Sequence, residues 1–266
     1  MKKEIQSIFR GMMYDRDYYS VVSDFFEMSA IAIRDAVDFR PDRENYERRY
    51  KEIQKNYTPD QMQGFAKALA LFQDEITRAL DGTCEFRDWA GELYMESDTY
   101  NKSMGQFFTP YSVSQVLART SLRDEEIRAK LAEDSDAVFT IHEPTCGAGG
   151  LIVAAIEKIK DIGINYAWNV FVDCGDIDPR CVHMTYLTLS LLGVPAVVRL
   201  GDALMLKYRE HWFTPAYIMA FPHFKKRLQG GGYPLRATVS TQKVEKTEKV
   251  EPDIPKMDKH GQFSLF

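Results

Sequence analysis

One stretch limits the fold more than any other: Phe139-Thr140-Ile141-His142-Glu143-Pro144-Thr145-Cys146-Gly147-Ala148-Gly149-Gly150-Leu151. A short apolar run reaches an acid-proline pair, then a loop of small residues, and passes without pause into Leu151-Ile152-Val153-Ala154-Ala155-Ile156. This order reads as strand, glycine loop, helix. Gly147, Gly149 and Gly150 lack Cβ atoms and accept positive φ, so a ligand can approach the backbone while the following helix offers unpaired N–H groups. No Gly-Lys-Ser/Thr follows, which excludes a Walker loop, and the spacing is not that of the dinucleotide fingerprint. On the loop alone, a tight turn in any α/β domain explains it equally well.

The pattern around the loop extends the argument. Strands are expected over 138–142, 169–175 and 196–200, with helices over 151–161 and 179–192 between them. Alternation at that spacing implies a parallel, doubly wound sheet with its ligand beyond the carboxyl ends of the strands. Acids fall at those ends. Asp176 is placed to accept hydrogen bonds from two ribose hydroxyls, and Glu143 to hold an ammonium group. Asp178 is either a second ligand group or the cap of the helix that begins at Pro179.

Ahead of the sheet the chain reads as helical. Phe25, Phe26, Met28, Ile31, Ile33 and Val37 recur at roughly helical spacing, and Phe39-Arg40-Pro41 ends that segment. Thr58-Pro59-Asp60-Gln61 supplies a cap, a proline at the first helical position and a Gln three residues on; the helix then runs through Phe65, Leu69, Phe72 and Ile76 to Asp81-Gly82. Thr109 is expected to cap another helix that starts at Tyr111.

Four ordered motifs carry a family resemblance: Gly105-Gln106-Phe107-Phe108-Thr109-Pro110, the glycine loop itself, Asp176-Ile177-Asp178-Pro179, and Gly201-Asp202-Ala203-Leu204. In this order they resemble the adenine-specific DNA methyltransferases, above all the modification subunits of type I restriction-modification systems. The resemblance begins at Trp89-Ala90-Gly91-Glu92 and runs to Leu204. It implies a Rossmann-like methyltransferase domain at 101–228 behind a helical domain at 1–100. It also implies S-adenosylmethionine as cofactor, held by Thr109, Pro110, Glu143, Pro144, Cys146, Gly147, Gly149, Asp176, Asp178 and Asp202. Asp202 matches the family residue that accepts from the adenine amino group.

The fourth expected strand breaks the pattern. The family ends that strand with Asn-Pro-Pro-Tyr/Phe, whose Asn and proline carbonyl hold the target amino group while the ring stacks on the flipped base. At the matching distance stands Phe221-Pro222-His223-Phe224, after a strand expected over 216–220. Phe221 offers no acceptor, and losing one contact made chiefly in the transition state costs on the order of a hundredfold in rate. By resemblance Phe221, Pro222 and Phe224 are the catalytic candidates. The alternative is an inactive relative that binds DNA or a partner as a regulatory or anti-restriction factor.

Net charge is −5, so DNA contact is confined to basic patches such as Arg43 to Lys55 or Lys225-Lys226-Arg227, or is supplied by a partner. The sheet is expected to stop after its fourth strand, leaving an edge for a specificity subunit or a second copy. No apolar run reaches membrane-spanning length, no signal peptide is read, and Cys84, Cys146, Cys174 and Cys181 lack metal-ligand spacing, so reduced thiols in a cytoplasm are expected. The segment 229–266 is rich in Lys, Glu and Thr and is expected to be disordered. Its end, Gln262-Phe263-Ser264-Leu265-Phe266, resembles the peptide by which bacterial proteins dock on the DNA sliding clamp, with Gln262, Leu265 and Phe266 as anchors.

Overall fold

The helical starts written into the sequence are used. A computed structural model of the chain describes residues 1–14, 16–95 and 108–228. α1 (Lys2–Arg10) leads to α2 (Tyr18–Val37), where the Asp17 carboxylate accepts from the Ser20 N–H at 2.8 Å. α3 (Arg43–Gln54) precedes α4 (Pro59–Leu80), which opens on a complete capping box. There Thr58 Oγ1 accepts from Gln61 N–H and Gln61 Oε1 from Thr58 N–H, satisfying two donors that a helix start leaves open. α5 (Trp89–Tyr94), α6 (Tyr111–Ser121) and α7 (Asp124–Glu133) bring the chain to the sheet. Thr109 is not the cap of α6: Pro110 occupies that position and no side chain caps the helix.

Four strands lie in sequence order: β1 (Phe139–Glu143), β2 (Val170–Asp176), β3 (Ala196–Asp202) and β4 (Lys207–Phe213). α8 (Gly150–Asp161) and the short α9 (Tyr166–Asn169) connect β1 to β2, and α10 (Pro179–Leu191) connects β2 to β3. The first three strands are parallel, with Ile141 beside Val172 and Cys174 beside Val198. Alternation along the strands divides the two faces. Val170, Val172, Cys174, Ala196, Val198 and Leu200 join a core that runs from Ile5 and Phe9 to Trp212, whereas Phe171, Val197 and Phe213 pack on the other face with Tyr217 and Phe224.

Arg34 ties α2 to the sheet. It is 1% exposed, sits 3.7 Å over Tyr46 and 4.8 Å over Trp212, and pairs with Asp42 at 2.7 Å and Asp38 at 3.5 Å. Asp38 in turn takes the Arg40 guanidinium, which donates onward to the His211 carbonyl of β4 at 2.7 Å.

Two expectations are corrected. The sheet is not parallel throughout: β4 is antiparallel to β3, with a register slip between Leu200 and Gly201. A Cβ on Gly201 would lie 2.2 Å from the Lys207 carbonyl oxygen, so this hairpin needs glycine there. Nor do residues 216–220 form a strand. Pro215 sits at the first turn of α11 (Pro215–Met219), and α12 (Phe221–Arg227) follows. Tyr217 from α11 and Phe224 from α12 fold back on Phe213 of β4 and on Phe171, filling the second core.

The catalytic expectation for Phe221, Pro222 and Phe224 falls with that strand. Arg227 of α12 pairs with Asp134 and Asp136, just ahead of β1, and His223 stacks 3.9 Å from Trp168, just ahead of β2. α12 therefore lies at the amino ends of the strands, opposite the glycine loop, and Phe224 is fully buried against Phe171 and Tyr217. Of the sequence expectations, Gly105, Gln106 and Phe107 of the first motif, the segment 229–266 and its anchors Gln262, Leu265 and Phe266 lie outside the described residues.

Candidate active site

The carboxyl ends of β1 and β2 hold the glycine loop by a short chain of hydrogen bonds. Cys146 N–H donates to the Gly175 carbonyl at 2.9 Å, and Gly147 N–H donates to Asp176 Oδ2 at 3.0 Å. From α10, Thr185 Oγ1 donates to the Gly147 carbonyl at 2.9 Å. Gly147 and Gly149 take φ of 54° and 90°, in the left-handed region where a side chain is strained. α8 then begins at Gly150 with no side-chain cap, leaving its first N–H groups for a ligand.

Beside the loop lies a cavity of about 520 Å³, within the range of small-molecule sites. Five of the expected residues line it: Thr109, Glu143, Cys146, Gly147 and Asp176. Both Asp176 oxygens accept backbone N–H groups, from Gly147 and from Asp178 at 2.9 Å, so this carboxylate fixes the loop as well as facing the cavity. Glu143 accepts from the Thr145 N–H at 3.1 Å and its hydroxyl at 3.2 Å through one oxygen.

The other five expected residues do not line the cavity. Asp178 caps α10, its oxygens engaged by the Arg180 N–H at 2.9 Å and the Arg180 guanidinium. Asp202 closes the turn after β3, accepting from Leu204 N–H at 2.9 Å and Met205 N–H at 3.0 Å. Gly149 faces Thr185, with room for a Cβ only 3.1 Å from Oγ1. Pro110 and Pro144 are exposed in the turns on either side of the cavity.

Three polar lining groups escaped the sequence reading: Asp88, Ser114 and Thr145. Asp88 is 7% exposed, and burial pushes its carboxyl up to about 6, with Glu92 adding to the rise and the Gly91 N–H opposing it. Ser114 is fully buried, and its Oγ has no partner among the described residues. Cys181 also lines the cavity, and burial raises its thiol far above the ordinary range, so it is a neutral wall. The one local signal for Asp88 was an acid three residues ahead of Gly91, the arrangement of a helix cap.

A second cavity of about 490 Å³ lies among α2, α3, α10 and β4. Two of its carboxylates are engaged, Glu27 by Arg49 and Glu210 by the Tyr46 hydroxyl and the Trp212 Nε1–H, and Asp42 pairs with Arg34 through one oxygen while the other has no partner among the described residues. At the glycine loop the buried Ser114 hydroxyl remains open among the described residues.

A profile of the N-6 DNA Methylase family matches residues 90–260. The methylase subunit of the type I restriction enzyme MjaIX from Methanocaldococcus jannaschii is 26% identical over 131 residues, 48% of this chain. The chain spans 20% of that relative's length. Among solved structures, a protein described as a class I S-adenosylmethionine-dependent methyltransferase from Listeria monocytogenes aligns at 12% identity and a TM-score of 0.38, covering 86% of this chain and 70% of its own.

Proposed function

Because the chain belongs to the N-6 DNA methylase family, whose profile spans well over half of it, we propose that the cavity at the glycine loop binds S-adenosylmethionine for methylation of adenine in DNA. The observation that carries this reading is the latch of Gly147 N–H to Asp176 at the strand ends, beside a cavity of about 520 Å³. The residues fit such a ligand. Asp176 has lone pairs left for ribose hydroxyls after its two backbone bonds, and an ionised carboxylate accepts about four. Gly147 lets the ligand reach the backbone, and the open N–H groups of α8 face the same space.

Bound there, the cofactor supplies an electrophilic methyl group on a sulfonium. The adenine must leave the base stack, and its amino nitrogen needs acceptors that aim the lone pair at the methyl carbon. α12 cannot provide them from the far end of the sheet. We assign that task to a strand of a partner subunit added along the outer edge of β1. Among the described residues β1 pairs only with β2, and Thr140 and His142 are exposed. A groove of about 400 Å³ runs beside it, lined by Leu122, Ile127, Phe139 and Ile141. Because β1 ends in the glycine loop, a parallel strand beside it would end next to the cavity.

The test is methyl transfer from labelled S-adenosylmethionine to unmethylated DNA, with the chain alone and with candidate specificity subunits. Transfer to adenine that needs a partner, together with slowed hydrogen exchange of β1 amides on assembly, supports both statements. Transfer to another base would overturn the adenine assignment. Loss of exchange protection only elsewhere would move the docking edge, and protection that rises with concentration of this chain alone would identify a second copy as the occupant. We also propose the sliding clamp as a partner of Gln262, Leu265 and Phe266; failure of the intact chain to pull down the clamp would end that proposal.

A further inference from the structure

We infer that Asp88 receives the ammonium of the ligand's amino-acid end in the cavity beside the glycine loop. The inference rests on the cofactor reading above and assigns its cationic end to a residue outside the four motifs.

Asp88 precedes α5, and one of its oxygens accepts from the Gly91 N–H at 2.9 Å. The other oxygen has no partner among the described residues, although the side chain is more than nine-tenths buried and lines the cavity. The surrounding backbone is cut away to admit it. A Cβ on Gly91 would lie 2.1 Å from Asp88 Oδ2, and one on Gly150 would lie 3.0 Å away. Glycine is therefore required at 91 in α5, and a Cβ at 150 in the glycine loop would press on the same carboxylate. The same cavity is lined by the unpartnered, fully buried Ser114 hydroxyl.

The charge balance points the same way. Asp88, Glu143 and Asp176 line the cavity, and among the described residues no Lys, Arg or His does. Each Asp176 oxygen already accepts one backbone N–H and one Glu143 oxygen accepts from Thr145, whereas Asp88 is the buried acid with an oxygen that no described residue contacts by a hydrogen bond. A buried carboxylate without a cation is costly, and a ligand ammonium would relieve that cost.

Two probes separate the amino-acid end from the rest of the ligand: S-adenosylhomocysteine carries it, and 5′-methylthioadenosine lacks it. Calorimetric titration of the full chain with each, before and after Asp88→Asn, gives a four-way comparison. Asparagine keeps the cap on α5 and removes the charge. The expected result is a 10- to 100-fold loss for S-adenosylhomocysteine, about the effect of one charged hydrogen bond, with 5′-methylthioadenosine unchanged. Equal losses on both probes, or none, would overturn the assignment to Asp88. A selective loss in Glu143→Gln but not in Asp88→Asn would hand the ammonium to Glu143. If the unaltered chain binds neither probe, the cofactor reading itself fails, and this inference with it. As a further readout, S-adenosylhomocysteine affinity should fall below about pH 6 in the unaltered chain and not in Asp88→Asn. Among the described residues the other ionisable groups around Asp88 are Glu92 on its own helix, Tyr111 on α6, and Glu143, Asp176 and the Cys146 and Cys181 thiols in the cavity lining.

Discussion

Asp88→Asn should make the cofactor-free protein more stable at neutral pH, and the size of the gain follows from the buried carboxyl. Burial raises Asp88 from its ordinary 3.8 to about 6. The folded state therefore holds this proton more tightly than the unfolded chain does. The stabilisation that results is present below about pH 4 and is lost as pH rises through about 6. Above that, the ionised carboxylate costs up to about 3 kcal/mol, at about 1.4 kcal/mol per pKa unit. Asn stays neutral and retains the cap. Thermal unfolding followed by circular dichroism should show no advantage for Asp88→Asn near pH 4, a growing one between pH 4 and 6, and a plateau above. For a folded region of this size the plateau corresponds to a rise in Tm of at most about 6–12 °C. Saturating cofactor should narrow or reverse the difference, because only the unaltered chain gains the ammonium contact. A variant no more stable than the parent at pH 8, or a difference that does not change with pH, would refute the reasoning.

Three substitutions test other parts of the account. Arg34→Met should cost about 3–5 kcal/mol in urea unfolding, because it strips Asp42 and Asp38 of a buried partner and removes the guanidinium that lies over Tyr46 and Trp212. Gly149→Ala should cost about 1–2 kcal/mol from its φ of 90° alone, and should weaken cofactor binding by displacing the loop against Thr185. Phe224→Ala should cost about 3–5 kcal/mol as a fully buried ring while leaving cofactor affinity unchanged, as its place at the amino ends of the strands requires. A selective loss of methyl transfer in a stably folded Phe224→Ala would restore its catalytic role.

Elements whose signals are local were legible in the sequence. The Thr58 capping box, the turn from β1 through the glycine loop into α8, and the proline-led start of α10 each depend on residues adjacent in the chain. β4 was not legible. Lys207, Arg209 and Glu210 give it a charged character, and its preceding turn exposes Leu204, Met205 and Leu206 where polar residues are usual. The aromatic run that follows reads as a strand, although Pro215 and Pro222 each open a short helix there and Tyr217 and Phe224 pack from α11 and α12 on Phe213 of β4. In the site, the glycines and Asp176 announced themselves by their place in the motifs. Asp88 did not, because its significance comes from burial against Gly150, sixty-two positions along the chain, which no local pattern records. Asp178 and Asp202 show the converse: acids at strand ends can be consumed by the turns that follow them.

The most direct test of the central claim is calorimetric titration of the purified chain with S-adenosylmethionine, repeated with Asp176→Ala. The account predicts one site per chain and at least a 10-fold loss of affinity in the variant, since Asp176 both latches Gly147 and faces the cavity. Absence of binding by the intact chain, or unaltered affinity in Asp176→Ala, would contradict it.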